Sequence, residues 1–130
     1  MREILFRGKR TDNGEWVEGY LYITQNGEYE ISNYCKYYDW ERYTYIVIPE
    51  TVGQYTGLLD KNGKKIFEGD IIQSLETKET AVVQWFPEHS AFMVWCKSSN
   101  EVGFLYECTK SNIEVIGNIY DNPELLEVSK

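Results

Sequence analysis

The sequence has few basic side chains for its length. Lys and Arg number 13 against 21 Asp and Glu, which gives a net charge of −8 over 130 residues. Proteins that bind duplex DNA or anionic membranes through a basic face gain affinity by neutralising phosphates with Lys and Arg. The deficit therefore argues against both classes, and we expect neither direct binding of duplex DNA nor a membrane partner.

Long hydrophobic runs are also missing. No apolar stretch reaches the roughly 20 residues that a membrane-spanning helix needs. The first residues, MREI, lack the apolar stretch of a signal peptide. These two observations predict a cytoplasmic protein.

Cysteine and histidine are too scarce to form an obvious metal or catalytic site. Cys35, Cys96 and Cys108 are an odd number at wide spacing and form no CxxC pair, which predicts neither a disulfide framework nor a structural zinc site. We expect Cys96 and Cys108 in or beside strands and Cys35 as the most exposed thiol. His89, the one histidine, lies in PEHS, a predicted hairpin turn, without an evident catalytic partner. We expect no metal and no cofactor.

Carboxylates are plentiful, but no catalytic set can be assigned from them. Glu68 and Asp70 are the one acidic pair inside a recognisable motif. A glycosidase-like pair is compatible with the residue types. An acidic surface explains the carboxylates equally well, and no nucleophile, base and orienting group can be named together. The sequence therefore predicts a protein that is not an enzyme.

Aromatic residues are unusually frequent, at 15% of the chain, with eleven Tyr and four Trp. Six of them fall within residues 34–45. This segment suits either an interaction surface, where Tyr and Trp are favoured, or cross-strand packing in a sheet. The candidate surface residues are Tyr34, Tyr37, Tyr38, Trp40 and Tyr43.

Turn signals and strand-forming residues predict an all-β fold. Three Asn-Gly dipeptides, at 13–14, 26–27 and 62–63, predict hairpin tips of type I′. Trp16, Glu18 and Tyr20 alternate with apolar or small residues, as in a strand. Strands are predicted at 3–7, 15–23, 28–32, 43–48, 64–67, 70–75, 81–86, 91–96, 102–106 and 113–119, and a short helical turn after Asn122-Pro123.

A soft boundary near residues 49–53 divides the chain into two β subdomains. We predict an N-terminal antiparallel subdomain at 1–50, a C-terminal small barrel of SH3-like type at 51–120 and a tail at 121–130. Short strands at this spacing are typical of sandwiches and small barrels.

Three segments of the chain resemble the YopX-like family of bacterial and prophage proteins. They are REILFRG at 2–8, QYTGLLDKNGKKIFEGDII at 54–72 and EVIGNIYDNPELL at 114–126. The resemblance implies a β-rich fold and a phage or prophage origin, and hence the cytoplasm of a bacterial host. It brings no catalytic residues with it.

The central segment also has a structural interpretation. Gly57, Gly63 and Gly69 recur every six residues, each where we predict a chain reversal, and Asn62 and Asp70 flank two of them. Gly is costly inside an ordinary strand, so we expect Gly69 to have a positive φ or to lie against a neighbouring strand.

These observations predict a phage or prophage accessory protein that is a non-enzymatic protein-interaction or self-assembly module. Its partner would be another protein or a further copy of itself. The alternatives are a nucleic-acid-related protein, either a binder or an acidic mimic of DNA, and an enzyme with an unidentified site. Small barrels include nucleic-acid binders, but that argument is fold analogy alone.

Overall fold

The computed structural model describes residues 3–33 and 43–126, and over these residues it confirms a nearly all-β protein. The strands are β1 (Phe6–Lys9), β2 (Trp16–Ile23), β3 (Tyr29–Ser32), β4 (Thr44–Ile46), β5 (Gly53–Leu59), β6 (Lys65–Phe67), β7 (Asp70–Ser74), β8 (Thr80–Phe86), β9 (Ala91–Cys96), β10 (Glu101–Phe104) and β11 (Ile113–Asn118). One short helix, α1 (Leu105–Cys108), follows β10. The chain divides into two compact units between Tyr55 and Thr56.

The first unit is an antiparallel sheet in which β4, β3, β2, β1 and β5 are successive neighbours. Its inner face carries Leu21, Ile31 and Tyr45, which are directly opposite one another in the register of β2, β3 and β4. Ile31 is fully buried, and Val47 beyond β4 is 1% exposed. Because side chains alternate between faces of a strand, the neighbouring residues of these strands form the outer face.

The second unit contains an antiparallel sheet with the order β10-β9-β8-β7-β11. Its core is an apolar cluster contributed by several strands and by α1: Ile66, Ile72, Val83, Val94, Leu105 and Ile113. β7, β8 and β9 are joined as consecutive antiparallel neighbours. The closure of these strands into an SH3-like barrel stays a prediction.

Each Asn-Gly dipeptide lies in the loop of a predicted hairpin, but the turn type is not I′. A type I′ turn needs a positive φ at both central residues. Gly14, Gly27 and Gly63 have φ between +73° and +82°, whereas Asn13, Asn26 and Asn62 are not among the described residues with positive φ. In the second and third loops the Gly N–H bonds to the carbonyl three residues earlier, from Gly27 to Thr24 and from Gly63 to Asp60. This is the longer loop in which a glycine in the left-handed region follows an ordinary turn.

The prediction for Gly69 is confirmed, whereas that for Gly57 is wrong. Gly69 has φ +91° in the two-residue turn between β6 and β7, and a Cβ there would lie 3.1 Å from Cε2 of Tyr120. Gly57 also has a positive φ, +87°, but it lies inside β5, and the chain does not reverse direction there. Strand β5 was not predicted, because a glycine near the centre of a segment locally favours a turn.

Several element boundaries differ from the prediction. Strand β1 is Phe6–Lys9, where the prediction was 3–7. Strand β10 ends at Phe104, and residues 105–108 form α1 where the predicted strand continued to 106. The predicted turn after Asn122 is confirmed as a short 3₁₀ helix at Pro123–Leu126.

Candidate functional site

Most of the predicted aromatic surface lies outside the described residues. Tyr34, Tyr37, Tyr38 and Trp40 fall within 34–42, as does Cys35. Tyr43 is half-buried, and its carbonyl accepts a 3.0 Å hydrogen bond from the backbone N–H of Asn33.

Exposed apolar side chains cluster instead on the outer face of β2, β3 and β4. Tyr22, Glu30 and Ile46 are directly opposite one another across the three strands. Tyr20 lies two residues before Tyr22 in β2 and is therefore on the same face. The exposed fractions of Tyr20, Tyr22 and Ile46 are 65%, 56% and 44%. We call these three residues the outer aromatic face.

The alternation in β2 contained a signal for this surface. Period-two alternation places Tyr20 and Tyr22 on one side of the strand and Leu21 on the other. The sequence did not indicate which side is covered, because both sides of β2 carry large apolar residues. The register with Ile31 decides it, since that residue is fully buried opposite Leu21.

The outer aromatic face has acidic side chains within and beside it. Burial raises the pKa of Glu30, and its hydrogen bond and repulsion with Glu28 raise it further. A carboxyl–carboxylate hydrogen bond requires a proton, so neighbouring carboxylates of this kind favour the protonated form. The outer aromatic face therefore has two closely spaced carboxyl groups beside it, and the proximity of Glu28 makes ionisation of Glu30 less favourable.

Trp16 lies at the far end of β2, on the same side of the strand as Tyr20. The Arg7 guanidinium carbon lies 4.8 Å from the Trp16 ring centroid, and the Lys9 Nζ lies 5.7 Å from it. Such cation–π contacts hold charged side chains against an aromatic ring. The basic groups of Arg7 and Lys9 in the first unit therefore lie against Trp16.

The central segment, residues 54–72, contains the buried carboxylate of Asp60, which organises its first turn. Its Oδ1 accepts hydrogen bonds from the backbone N–H groups of Asn62 and Lys64, both at 2.9 Å. Its Oδ2 accepts one from Val115 in β11 at 3.0 Å. Burial acts to raise the pKa of Asp60, but the three backbone donors and the charge of Lys64 together outweigh it and the pKa is lowered. Asp60 therefore fixes the turn and joins it to β11.

Asp70 and Asn62 also have structural contacts. Asp70 is 1% exposed, and its Oδ2 accepts a 2.7 Å hydrogen bond from the N–H of Phe67 across the Glu68-Gly69 turn. The side-chain amide of Asn62 donates to Glu114 at 3.5 Å. The contact from Phe67 to Asp70 closes the turn, which assigns a structural role to the Asp70 carboxylate.

A cavity of about 240 Å³ opens at one end of the second sheet. Its apolar wall includes Ile72, Ala81, Val94 and Ile113. These residues come from β7, β8, β9 and β11, and the register places them on one face of the sheet. The polar groups at the cavity include two carboxylates, of Glu79 and Glu101, and two thiols, of Cys96 and Cys108.

The two thiols of the cavity have opposite pKa shifts. Burial acts to raise the pKa of Cys96, but hydrogen bonds from Ser98 and Ser99 together outweigh it and lower the pKa. The Cys96 Sγ lies 3.2 Å from Oγ of Ser98. Burial raises the pKa of Cys108, and the charge of Glu107 adds to that shift. The sequence predicted that both lie in or beside strands; Cys96 ends β9, whereas Cys108 lies in the helix α1. Their meeting at one cavity depends on the fold.

His89 lies in the predicted turn between β8 and β9. The turn is a short 3₁₀ helix, Pro87–His89, and the imidazole makes an edge-to-face contact with Phe104 at 5.9 Å between ring centroids. Within residues 3–33 and 43–126, no three His, Cys, Asp or Glu side chains come together as a possible metal site. Over the same residues, no helix has the length and apolar character needed to cross a membrane.

Comparison with known proteins defines the class of this chain. It is an all-β protein whose residues 5–127 match the model of the YopX protein family. The chain belongs to the YopX family, as the resemblance in three segments predicted.

A solved structure shows the same fold. The crystal structure of yopX from Bacillus subtilis matches with a TM-score of 0.57 and 21% sequence identity, over 100% of both chains. No curated protein matches this sequence. At this identity the likeness is one of fold alone.

Proposed function

We propose that this chain is a non-enzymatic interaction module that binds another protein through the outer aromatic face. The observation that carries the proposal is the exposure of Tyr20, Tyr22 and Ile46 on one side of β2–β4. Tyr and Trp are enriched at protein interfaces because they bury a large area with few rotatable bonds.

The charge of the chain favours a particular kind of partner. The net charge is −8. Glu30 lies between Tyr22 and Ile46, and Glu18 is an exposed residue of the same strand as Tyr22. Complementary charge steers association, whereas like charges oppose it. The proposed partner therefore has an apolar centre with a basic rim, and pairing of two acidic copies is the less favoured form.

The biological setting proposed for this function is based on the resemblance to prophage proteins. Resemblance to prophage proteins supports an accessory role in a phage or prophage, within the cytoplasm of a bacterial host. In this role the chain needs no catalytic group of its own, which agrees with the structural contacts of Asp60 and Asp70 described above.

The test compares two tyrosine variants that differ in location. Tyr20→Ser/Tyr22→Ser removes the outer aromatic face, and Tyr106→Ser removes a tyrosine of similar exposure, 59%, from the second unit. Each tagged protein is expressed in a bacterial host, and its stable partners are identified by mass spectrometry. We expect one defined protein to be retained by the wild type and by Tyr106→Ser and to be lost from the double variant.

Measurements of salt dependence, of oligomeric state and of nucleic-acid binding decide what kind of partner is bound. Affinity for the purified partner should fall as salt is raised from low to physiological concentration, because the charges at the rim are screened. A partner that is retained equally by all three proteins would contradict the proposal. Sedimentation showing a stable dimer that the double variant abolishes would replace it with self-assembly, and binding of nucleic acid alone would support the nucleic-acid alternative.

A further inference from the structure

We infer that the cavity of the second unit is a binding site for a small apolar cation, such as a single-ring amine. This site is separate from the outer aromatic face, and nothing in the family comparison assigns it. The inference depends on the size of the cavity, on its walls and on the charge of the groups at its polar side.

The size and the walls of the cavity indicate the apolar part of the ligand. A cavity of about 150 Å³ with Leu, Ile and Phe walls takes up benzene. The volume here is about 240 Å³, and the wall includes Ile72, Val94 and Ile113. Apolar surface of this kind favours transfer of an apolar group from water. One ring with a short polar substituent therefore fits the space.

Gly103 keeps the cavity open. It is directly opposite Val94 in the register of β10 and β9, so its missing side chain would lie on the same side of the sheet as Val94. A Cβ built on Gly103 meets a single atom within 4 Å, Cγ2 of Val94 at 4.0 Å. A larger residue at this position would project into the cavity without a backbone clash.

The charges at the polar side select a cation. Glu101 is directly opposite Cys96 in the register, and Glu79 precedes β8 at the same end of the sheet. Among the described residues that line the cavity, none is Lys, Arg or His. An ammonium group is attracted to the carboxylates of Glu79 and Glu101, whereas a carboxylate ligand would be repelled.

The experiment uses three ligands of similar shape and different charge. Benzylamine, benzyl alcohol and benzoate are titrated into the full chain near neutral pH, and backbone amide shifts are followed by NMR. We expect benzylamine to bind most tightly, benzyl alcohol less tightly and benzoate not at all, with the shifts centred on the residues around Cys96 and Gly103.

Three variants test the contributions of shape and charge. Gly103→Val should weaken benzylamine binding about tenfold or more, because it fills the space. Glu101→Gln should weaken benzylamine binding about two- to fivefold, the scale of an exposed ion pair, and leave benzyl alcohol unchanged. Phe104→Leu changes the neighbouring residue, whose side chain lies on the opposite side of β10, and should have no effect on either ligand.

A chemical measurement remains available if Gly103→Val does not fold. Bound benzylamine should slow the alkylation of Cys96 and Cys108 by iodoacetamide in the wild-type protein, because both thiols line the cavity. Absence of shifts and of protection, equal binding of benzoate, or shifts confined to residues away from the cavity would each overturn the inference.

Discussion

Gly69 has a backbone conformation that the turn between β6 and β7 requires. Its φ of +91° lies in a region that residues with a side chain rarely adopt, and a Cβ would lie 3.1 Å from the Tyr120 ring. We predict that Gly69→Val lowers the free energy of unfolding by about 1–3 kcal/mol, the cost of holding such a backbone. Urea denaturation followed by circular dichroism measures the difference.

A second glycine separates backbone strain from the contact with Tyr120. Gly27 has φ +82° and nothing within 4 Å of a built Cβ. Gly27→Val should therefore cost less than Gly69→Val, because it adds strain without a contact. If Gly69→Val leaves the unfolding midpoint unchanged, the structural role of the motif is wrong.

Asp60 is predicted to make stability dependent on acid pH. Its pKa is lowered in the folded protein, so its contribution is complete above the unfolded pKa of about 4 and is lost as the pH falls through the folded pKa. Asp60→Ala would leave three backbone donors without their acceptor. We expect a loss of at least about 2 kcal/mol at pH 7 that shrinks below pH 4.

Asp12 provides the control for Asp60. Its carboxylate binds the Arg10 guanidinium at 2.7 Å on the exposed surface. Asp12→Ala should leave the unfolding midpoint nearly unchanged, since exposed ion pairs contribute little. Equal losses for both variants, measured by denaturation at pH 7, would contradict the role of Asp60 in joining its turn to β11.

Glu30 in β3 should make the stability of the fold depend on pH in the direction opposite to Asp60. Burial and the adjacent Glu28 raise the pKa of Glu30, so the folded protein holds this proton more tightly than the unfolded chain. Its favourable contribution is therefore present at acid pH and is lost as the pH rises through the folded pKa. We predict that Glu30→Gln raises the thermal midpoint relative to wild type at pH 7 and loses this advantage near pH 4. A constant difference across this range would argue against the shared proton.

The elements with strong local signals could be predicted from the sequence. All three Asn-Gly loops lie between strands, because a glycine with positive φ suits a tight loop in any of several turn types. The turn type itself depends on how the flanking strands pair. The Asn residues do not adopt the positive φ that type I′ requires, since the loops are longer than two residues.

Two elements could not be predicted because their local signals conflict with the fold. Strand β5 contains Gly57 at φ +87°, which locally favours a turn, and its pairing with β1 is between residues far apart in sequence. Helix α1 is four residues long, too short for any periodic pattern, and the burial of Leu105 in the core favours it. In both cases tertiary packing decides against local preference.

Over the whole chain, the surfaces were harder to predict than the fold. The period of β2 placed Tyr20 and Tyr22 on one side, but only the register with β3 shows that this side is exposed. The cavity could not be predicted at all, because residues from 72 to 113 line it and its opening depends on the absence of a side chain at Gly103.

The most direct test of the interaction proposal places a photo-reactive amino acid at Tyr22 and, in a separate protein, at Tyr106. Both positions are more than half exposed, and they belong to different units. After irradiation in the bacterial host, we predict that position 22 forms an adduct with one defined protein and that position 106 does not. The absence of any adduct at position 22, or the same adducts at both positions, would contradict the proposal that the outer aromatic face binds a partner.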